Sequence, residues 1–133
     1  MSLVVDASVA VQWVLDEDGS ARANALRAEP GLIAPSLVAA EIGSAIWKAV
    51  RRELVSRADA LTAAQAALLP FEALVANEEL HTRALELAID LNHSIYDCLY
   101  LALAERERCA LVSADAKLLA AAKKMKTVEA RKL

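Results

Sequence analysis

At 133 residues the chain fits one domain spanning residues 1–133, and at 57% hydrophobic with 25% charged it has too much apolar content to be disordered. The formal net charge of −3 argues against a simple basic nucleic-acid binder, and aromatics at 4% leave few rings for stacking on bases. Two cysteines, Cys98 and Cys109, lack the spacing of a zinc site and read as free thiols of a reduced compartment.

In chain order, Leu3-Val4-Val5 is a continuous β-prone run, the pattern of a buried parallel strand, and it ends at Asp6. It reaches that charge too soon for the apolar region of a signal peptide, and no apolar run attains the ~20 residues of a membrane span, so a cytoplasmic location is expected. Residues 7–15 and 20–28 read as helices, Pro30-Gly31 as a turn and Leu32-Ile33-Ala34 as a second strand. Pro35 suits a first helical turn, and Leu37, Val38, Ile42, Ala45, Ile46 and Val50 recur at helical spacing to about Arg52. Ser56 and Asp59 form a capping-box pattern for a helix over 57–69, which Pro70 ends. Phe71 to Val75 reads as a third strand, with Asn77 as N-cap of a helix through Leu91. A helix over 95–107, a strand Ala110-Leu111-Val112, a helix over 115–123 and an edge strand at Thr127-Val128 complete the pass. Strands alternating with helices predict a parallel sheet covered on both faces. The segment Lys123 to Lys132 is basic.

Four acids interrupt apolar runs: Asp6, Glu41, Asp97 and Asp115. No Lys or Arg occupies Ser94, Ile95, Tyr100 or Leu101 around Asp97, nor Leu37, Val38, Ser44 or Ala45 around Glu41. A charge among apolar groups is costly unless compensated, so the compensation must come from elsewhere in the fold. Taken singly, each acid has a structural explanation. Asp6 and Asp115 can be N-caps, Asp97 the acid of a capping box with Ser94, and Glu41 the partner of a distant Arg. Taken together they point to a site, because ligands of open parallel sheets bind outside the carboxyl ends of the strands, and all four can converge there. A pair of carboxylates 4 Å apart repels by about 4 kcal/mol at an effective dielectric of 20, which a divalent cation removes. All-oxygen donors favour Mg²⁺ or Mn²⁺ over zinc, and such ions on carboxylates suit phosphodiester hydrolysis. Setting those four acids aside moves the formal balance from −3 to +1, which weakens the argument from charge.

The segments Val-Val-Asp6-Ala-Ser8, Pro35-Ser36-Leu37-Val38-Ala-Ala-Glu41-Ile-Gly-Ser-Ala45, Ser94-Ile-Tyr96-Asp97-Cys-Leu-Tyr100-Leu-Ala-Leu-Ala and Leu111-Val-Ser113-Ala-Asp115, in this order, resemble the PIN-domain family, and within it the VapC-type toxins of toxin–antitoxin pairs. The resemblance implies an α/β/α fold whose central parallel sheet of four to five strands is ordered 3-2-1-4-5. It also implies a Mg²⁺-dependent endoribonuclease in which Asp6 and Asp97 are metal ligands. Glu41 and Asp115 would complete the site directly or through water, with Ser8 and Ser113 as supporting hydroxyls and Ser113 standing where Thr is common. A small antitoxin partner, an RNA substrate and a homodimer are implied as well.

Rival readings fit less well. A haloacid-dehalogenase-like phosphatase needs a second Asp two residues after the first, where this chain has Ser8. A receiver domain needs paired acids near the first strand and a Lys at a later strand end, whereas Asp6 stands alone and Lys117 follows Asp115 into a helix. A catalytically silent binding module would be expected to have lost one of the four acids. Lys48, Arg51, Arg52, Arg57 and Lys117 read either as phosphate contacts or as solvated surface charges, and Trp13 and Trp47 as core.

Overall fold

The computed structural model describes residues 1–15 and 20–133. Its centre is a five-stranded, wholly parallel sheet of order β3-β2-β1-β4-β5, the order the resemblance implies. The strands are β1 Leu3–Val5, β2 Leu32–Pro35, β3 Ala73–Val75, β4 Ala110–Ser113 and β5 Ala130–Lys132. The helices are α1 Ala7–Ala10, α2 Ser20–Arg27, α3 Leu37–Arg51, α4 Arg57–Ala66, α5 Asn77–Leu91, α6 Ile95–Glu107 and α7 Ala116–Lys124. Between α1 and α2, Val11–Trp13 form a tighter 3-10 turn.

The three central strands are buried along their length, as their continuous apolar sequences require of strands covered on both faces. Helix α6 packs on β1, β2 and β4. Seven consecutive residues of it, Cys98 to Ala104, are buried, so this helix is apolar all round and forms the middle of the core. Asp97 sits where α6 emerges from that core. No helix among the described residues is long and apolar enough to cross a membrane.

Several local expectations are corrected. Pro35 is the last residue of β2, paired with Val75, and not part of the helix. The adjoining Ser36 backbone N–H donates to the Val75 carbonyl at 2.7 Å, extending the pairing past the proline. Asn77 is inside α5 and does not cap it. Its carboxamide oxygen accepts from the Leu37 N–H at the start of α3 (3.1 Å), while its own N–H donates to Ser36 Oγ (3.2 Å), so the two helix starts satisfy one another's orphan donors. The last strand is Ala130–Lys132 instead of Thr127-Val128. Val128 is buried and serves the core, whereas the backbone available to β4 comes two residues later, as Leu111 N–H donates to the Glu129 carbonyl (2.9 Å). The helix expected over 57–69 ends at Ala66, and the third strand begins at Ala73. Trp13 is core, its indole N–H donating to the Ala23 carbonyl at 2.7 Å, but Trp47 is exposed. Both cysteines are free thiols, Cys98 buried and Cys109 half-buried.

The turn at Pro30-Gly31 sets the register of β2 on β1, since Leu3 N–H donates to the Gly31 carbonyl (2.9 Å) just before Leu3 pairs with Leu32. Gly31 has φ +79°, and a Cβ there would run into the Met1 carbonyl. The colliding atom is backbone, so the terminal residues must be displaced, and the strain of a positive φ remains. Gly31→Ala therefore costs about 1–2 kcal/mol of stability, read as a lower urea midpoint at unchanged slope.

Candidate active site

Adjacent parallel strands bring the first two acids together. Val5 pairs with Val112, so Asp6 at the end of β1 lies beside Ser113 at the end of β4, and Asp115 follows as N-cap of α7. Glu41 comes from the second turn of α3 and Asp97 from the first turn of α6. Asp6, Glu41, Asp97 and Asp115 all line one open cleft of about 430 Å³, together with Ser8 and Tyr100.

Asp6 is the most deeply set of the four, with 6% of its surface exposed. Both of its oxygens are held by hydroxyls: Ser8 Oγ donates to Oδ1 at 2.6 Å and Ser113 Oγ donates to Oδ2 at 2.9 Å. Each hydroxyl is itself fixed by a backbone donor, Ala114 N–H to Ser8 Oγ and Asp115 N–H to Ser113 Oγ, both 2.9 Å. This relay explains why small hydroxyl residues follow Asp6 by two positions and end β4. Burial pushes the Asp6 carboxyl up to about 7, against the hydrogen bonds from Ser8 and Ser113, with Asp115 and Glu41 adding repulsion. Glu41 is also raised, chiefly by burial and then by Asp97 and Asp115, while the hydrogen bond from Tyr100 opposes the rise. That bond, Tyr100 hydroxyl to Glu41 Oε1, is 2.6 Å long. Burial and the Glu41 charge push the Tyr100 phenol far above its usual range, so it stays a donor.

The compensation sought in the sequence is therefore made mostly of hydroxyls, and no Arg from another element pairs with Glu41 among the described residues. Asp97 is the exception. His93 Nε2 lies 2.7 Å from Asp97 Oδ2, one turn earlier across the start of α6. An ionised carboxylate only accepts, which puts the proton on Nε2. The i, i+4 spacing of His93 and Asp97 is the sequence signal of this contact, which no Lys or Arg supplies. Nothing in sequence ties Tyr100 to Glu41, 59 residues away. The Ser94 hydroxyl accepts from Tyr96 N–H (3.2 Å), and Asp97 turns to His93, so the expected capping box is not formed in that way. Asp115 does cap, accepting from Lys117 N–H at 2.9 Å, and still lines the cleft.

The donors are four carboxylates, a set that favours a hard divalent cation over a softer metal. The fit rests on Asp6: a deeply buried acid held by neutral hydroxyls and pressed by two other acids has no cation of the protein to balance it among the described residues. In the same described residues, no three of the His, Cys, Asp and Glu side chains are gathered closely enough to enclose an ion as they stand.

If Asp97 holds a metal and His93 only orients it, His93→Ala lowers metal affinity or activity by about 10–100-fold with little loss of melting temperature. Metal titration and thermal melts of the variant separate that result from a structural role.

Comparison with known proteins places this arrangement. The family model of the PIN domain matches residues 3–124, and the chain belongs to the PIN-domain family. Within it the chain is similar to the VapC-type proteins. It is 38% identical over 116 residues to VapC ribonuclease Mb0985 of Mycobacterium bovis and, by the same measure, to ribonuclease VapC9 of Mycobacterium tuberculosis, covering 87% of each chain. Among solved structures, PAE2754 from Pyrobaculum aerophilum superposes with a TM-score of 0.75 at 25% identity, covering 98% of this chain and 83% of that one. VapBC2 of Rickettsia felis, bound to a DNA fragment from its promoter, superposes at 0.72 with 17% identity, covering 100% and 99%. Mycobacterium tuberculosis VapC20, described as a Sarcin-Ricin loop cleaving toxin, superposes at 0.68 with 19% identity, covering 90% and 95%. The last two share the fold.

Proposed function

We propose that this chain is a Mg²⁺- or Mn²⁺-dependent endoribonuclease and the toxin of a type II toxin–antitoxin pair. The observation that carries the reading is the single cleft lined by Asp6, Glu41, Asp97 and Asp115, contributed by four separate elements. The ribonuclease names of relatives at 38% identity support RNA as the substrate class. The VapBC2 neighbour supports a small antitoxin as partner. A homodimer and a cytoplasmic location belong to the same reading.

In it, Asp6 and Asp97 hold the cation, and Glu41 and Asp115 complete its shell directly or through water. The ion supplies a water of lowered pKa and neutralises charge on the phosphate oxygens. The chain's own residues do the positioning. Ser8 and Ser113 fix both oxygens of Asp6, Tyr100 fixes one oxygen of Glu41, and His93 fixes one oxygen of Asp97. With these rotamers held, little ordering remains to be done when metal and phosphate arrive.

The purified protein should cleave single-stranded RNA with Mg²⁺ or Mn²⁺ and stop on addition of EDTA. Cleavage that persists undiminished in EDTA would end the metal-dependent reading.

A further inference from the structure

Trp47 and the cations around it form a surface that the carboxylate site does not use. Glu41, Ala45, Lys48 and Arg52 recur at intervals of four, three and four residues, so one stripe of α3 and its C-cap runs out of the cleft. The 1.5 Å rise per residue places Lys48 about 10 Å and Arg52 about 16 Å from Glu41 along the axis. Ala45 is a wall of both the carboxylate cleft and the next groove, which Lys48 and Arg52 also line. Lys48, Arg51 and Arg52 share a further hollow. All three are exposed, and among the described residues none is ion-paired, whereas Arg83, Arg106 and Arg131 each meet a glutamate. Trp47 is 55% exposed, and the Arg51 guanidinium lies 4.8 Å from its ring centroid.

We propose that this stripe holds the single-stranded RNA running out of the cleft: Lys48 and Arg52 contact its phosphates, and the Trp47–Arg51 stack receives a base. The proposal rests on the ribonuclease reading and adds the path of the substrate. Four carboxylates repel a polyanion, and the chain as a whole is acidic, so RNA affinity must come from a local concentration of cations. Three cations that meet no carboxylate among the described residues supply it, Lys48 and Arg52 in the groove that shares Ala45 with the cleft and Arg51 in the hollow beyond it. On the adjoining face of α3, about 100° round the helix from Lys48, the exposed indole against Arg51 supplies the stacking face on which sequence-tolerant binding of single strands depends.

The test is fluorescence anisotropy of a short fluorescein-labelled single-stranded RNA of mixed sequence, in EDTA so that nothing is cleaved, over a range of salt. The doubly substituted Lys48→Ala/Arg52→Ala protein should bind at least about 10-fold more weakly, with a salt slope reduced by about 1.4, or 0.7 for each lost phosphate contact. Trp47→Ala should lose about 10-fold at unchanged salt slope, and Trp47→Phe should recover most of it. Substituting Lys123 and Lys124, exposed on α7, should change neither quantity. Circular dichroism melts verify that each variant is folded, and Lys48→Gln/Arg52→Gln repeats the charge test with longer side chains. Wild-type affinity and slope in these variants would overturn the proposal, as would unchanged RNA binding with lost binding of a polyglutamate peptide. Cleavage of the same RNA in Mg²⁺ is scored separately. No cleavage with the binding effects intact supports the surface and removes the ribonuclease reading. Cleavage with variants that bind like wild type removes the surface alone.

Discussion

Asp6→Asn abolishes RNA cleavage and, in metal-free buffer at pH 8, raises the melting temperature. Asp6 is 6% exposed, and its carboxyl is pushed up from 3.8 to about 7 in the folded chain. A raised acid binds its proton more tightly folded than unfolded, so ionising it costs stability. The cost is absent below about 4, grows as pH rises from 3.8 towards 7, and is fully present above 7. Three units correspond to about 4 kcal/mol. Asn carries no charge and keeps one carbonyl oxygen for a serine hydroxyl. Its NH₂ must find a lone pair on the other serine, at a cost of about 1 kcal/mol. The net gain at pH 8 is then about 2–4 kcal/mol, or about 10 °C for a chain of this size. On the proposed reading Mg²⁺ inverts the order, because it would bind the folded wild type and not the variant. On the same reading protons and metal would compete for the Asp6 carboxylate, so metal affinity should rise with pH through about 7. Melts of both proteins at pH 5 and pH 8, with EDTA or Mg²⁺, read every part of this. A lower melting temperature for Asp6→Asn in EDTA at pH 8 would mean that the ionised acid stabilises the fold.

Asp97→Asn should cost more than about 100-fold in activity, since even the partners that orient a metal ligand are worth about 10–100-fold. Its stability should hardly change. The amide oxygen can still accept from His93 Nε2–H, and the lost charge near the start of α6 is worth at most about 1 kcal/mol. Melts in EDTA should agree within about 4 °C. A much larger fall would make the His93–Asp97 contact a structural pair whose loss strands its partner. That outcome would assign Asp97 to the scaffold and not to catalysis.

The parts of the molecule legible in sequence share a physical cause. Leu3–Val5 and Ala110–Ser113 are buried on both faces, so their runs are continuous and their ends are marked by the first polar residue, which is Asp6 in one case and Ser113 in the other. The site acids stood out because each breaks an apolar segment. Their gathering in one cleft follows from strand neighbours that sequence alone did not specify; the family resemblance supplied that order. Edge strands were the least legible. β5 is Ala130–Lys132, half polar and exposed, because an edge needs backbone partners on one side only and favours charge on the other. Trp47 was misread because helical spacing identifies a face but not what covers it. His93 reaches Asp97 as a neighbour one helical turn away and not as a Lys or Arg, and Tyr100 meets Glu41 across two helices far apart in the chain, so neither partner stands out in sequence as a counter-charge.

The central claim is that the four carboxylates hydrolyse RNA through metal-activated water, and the ends of the cleaved RNA test it most directly. Wild-type protein and Asp97→Asn should be incubated with one RNA in Mg²⁺ and in EDTA, and the product termini identified. The account predicts 5′-phosphate and 3′-hydroxyl ends from wild type in Mg²⁺ alone. Products ending in a 2′,3′-cyclic phosphate, formed with or without metal, would mean that the RNA's own 2′-hydroxyl attacks, and would contradict it.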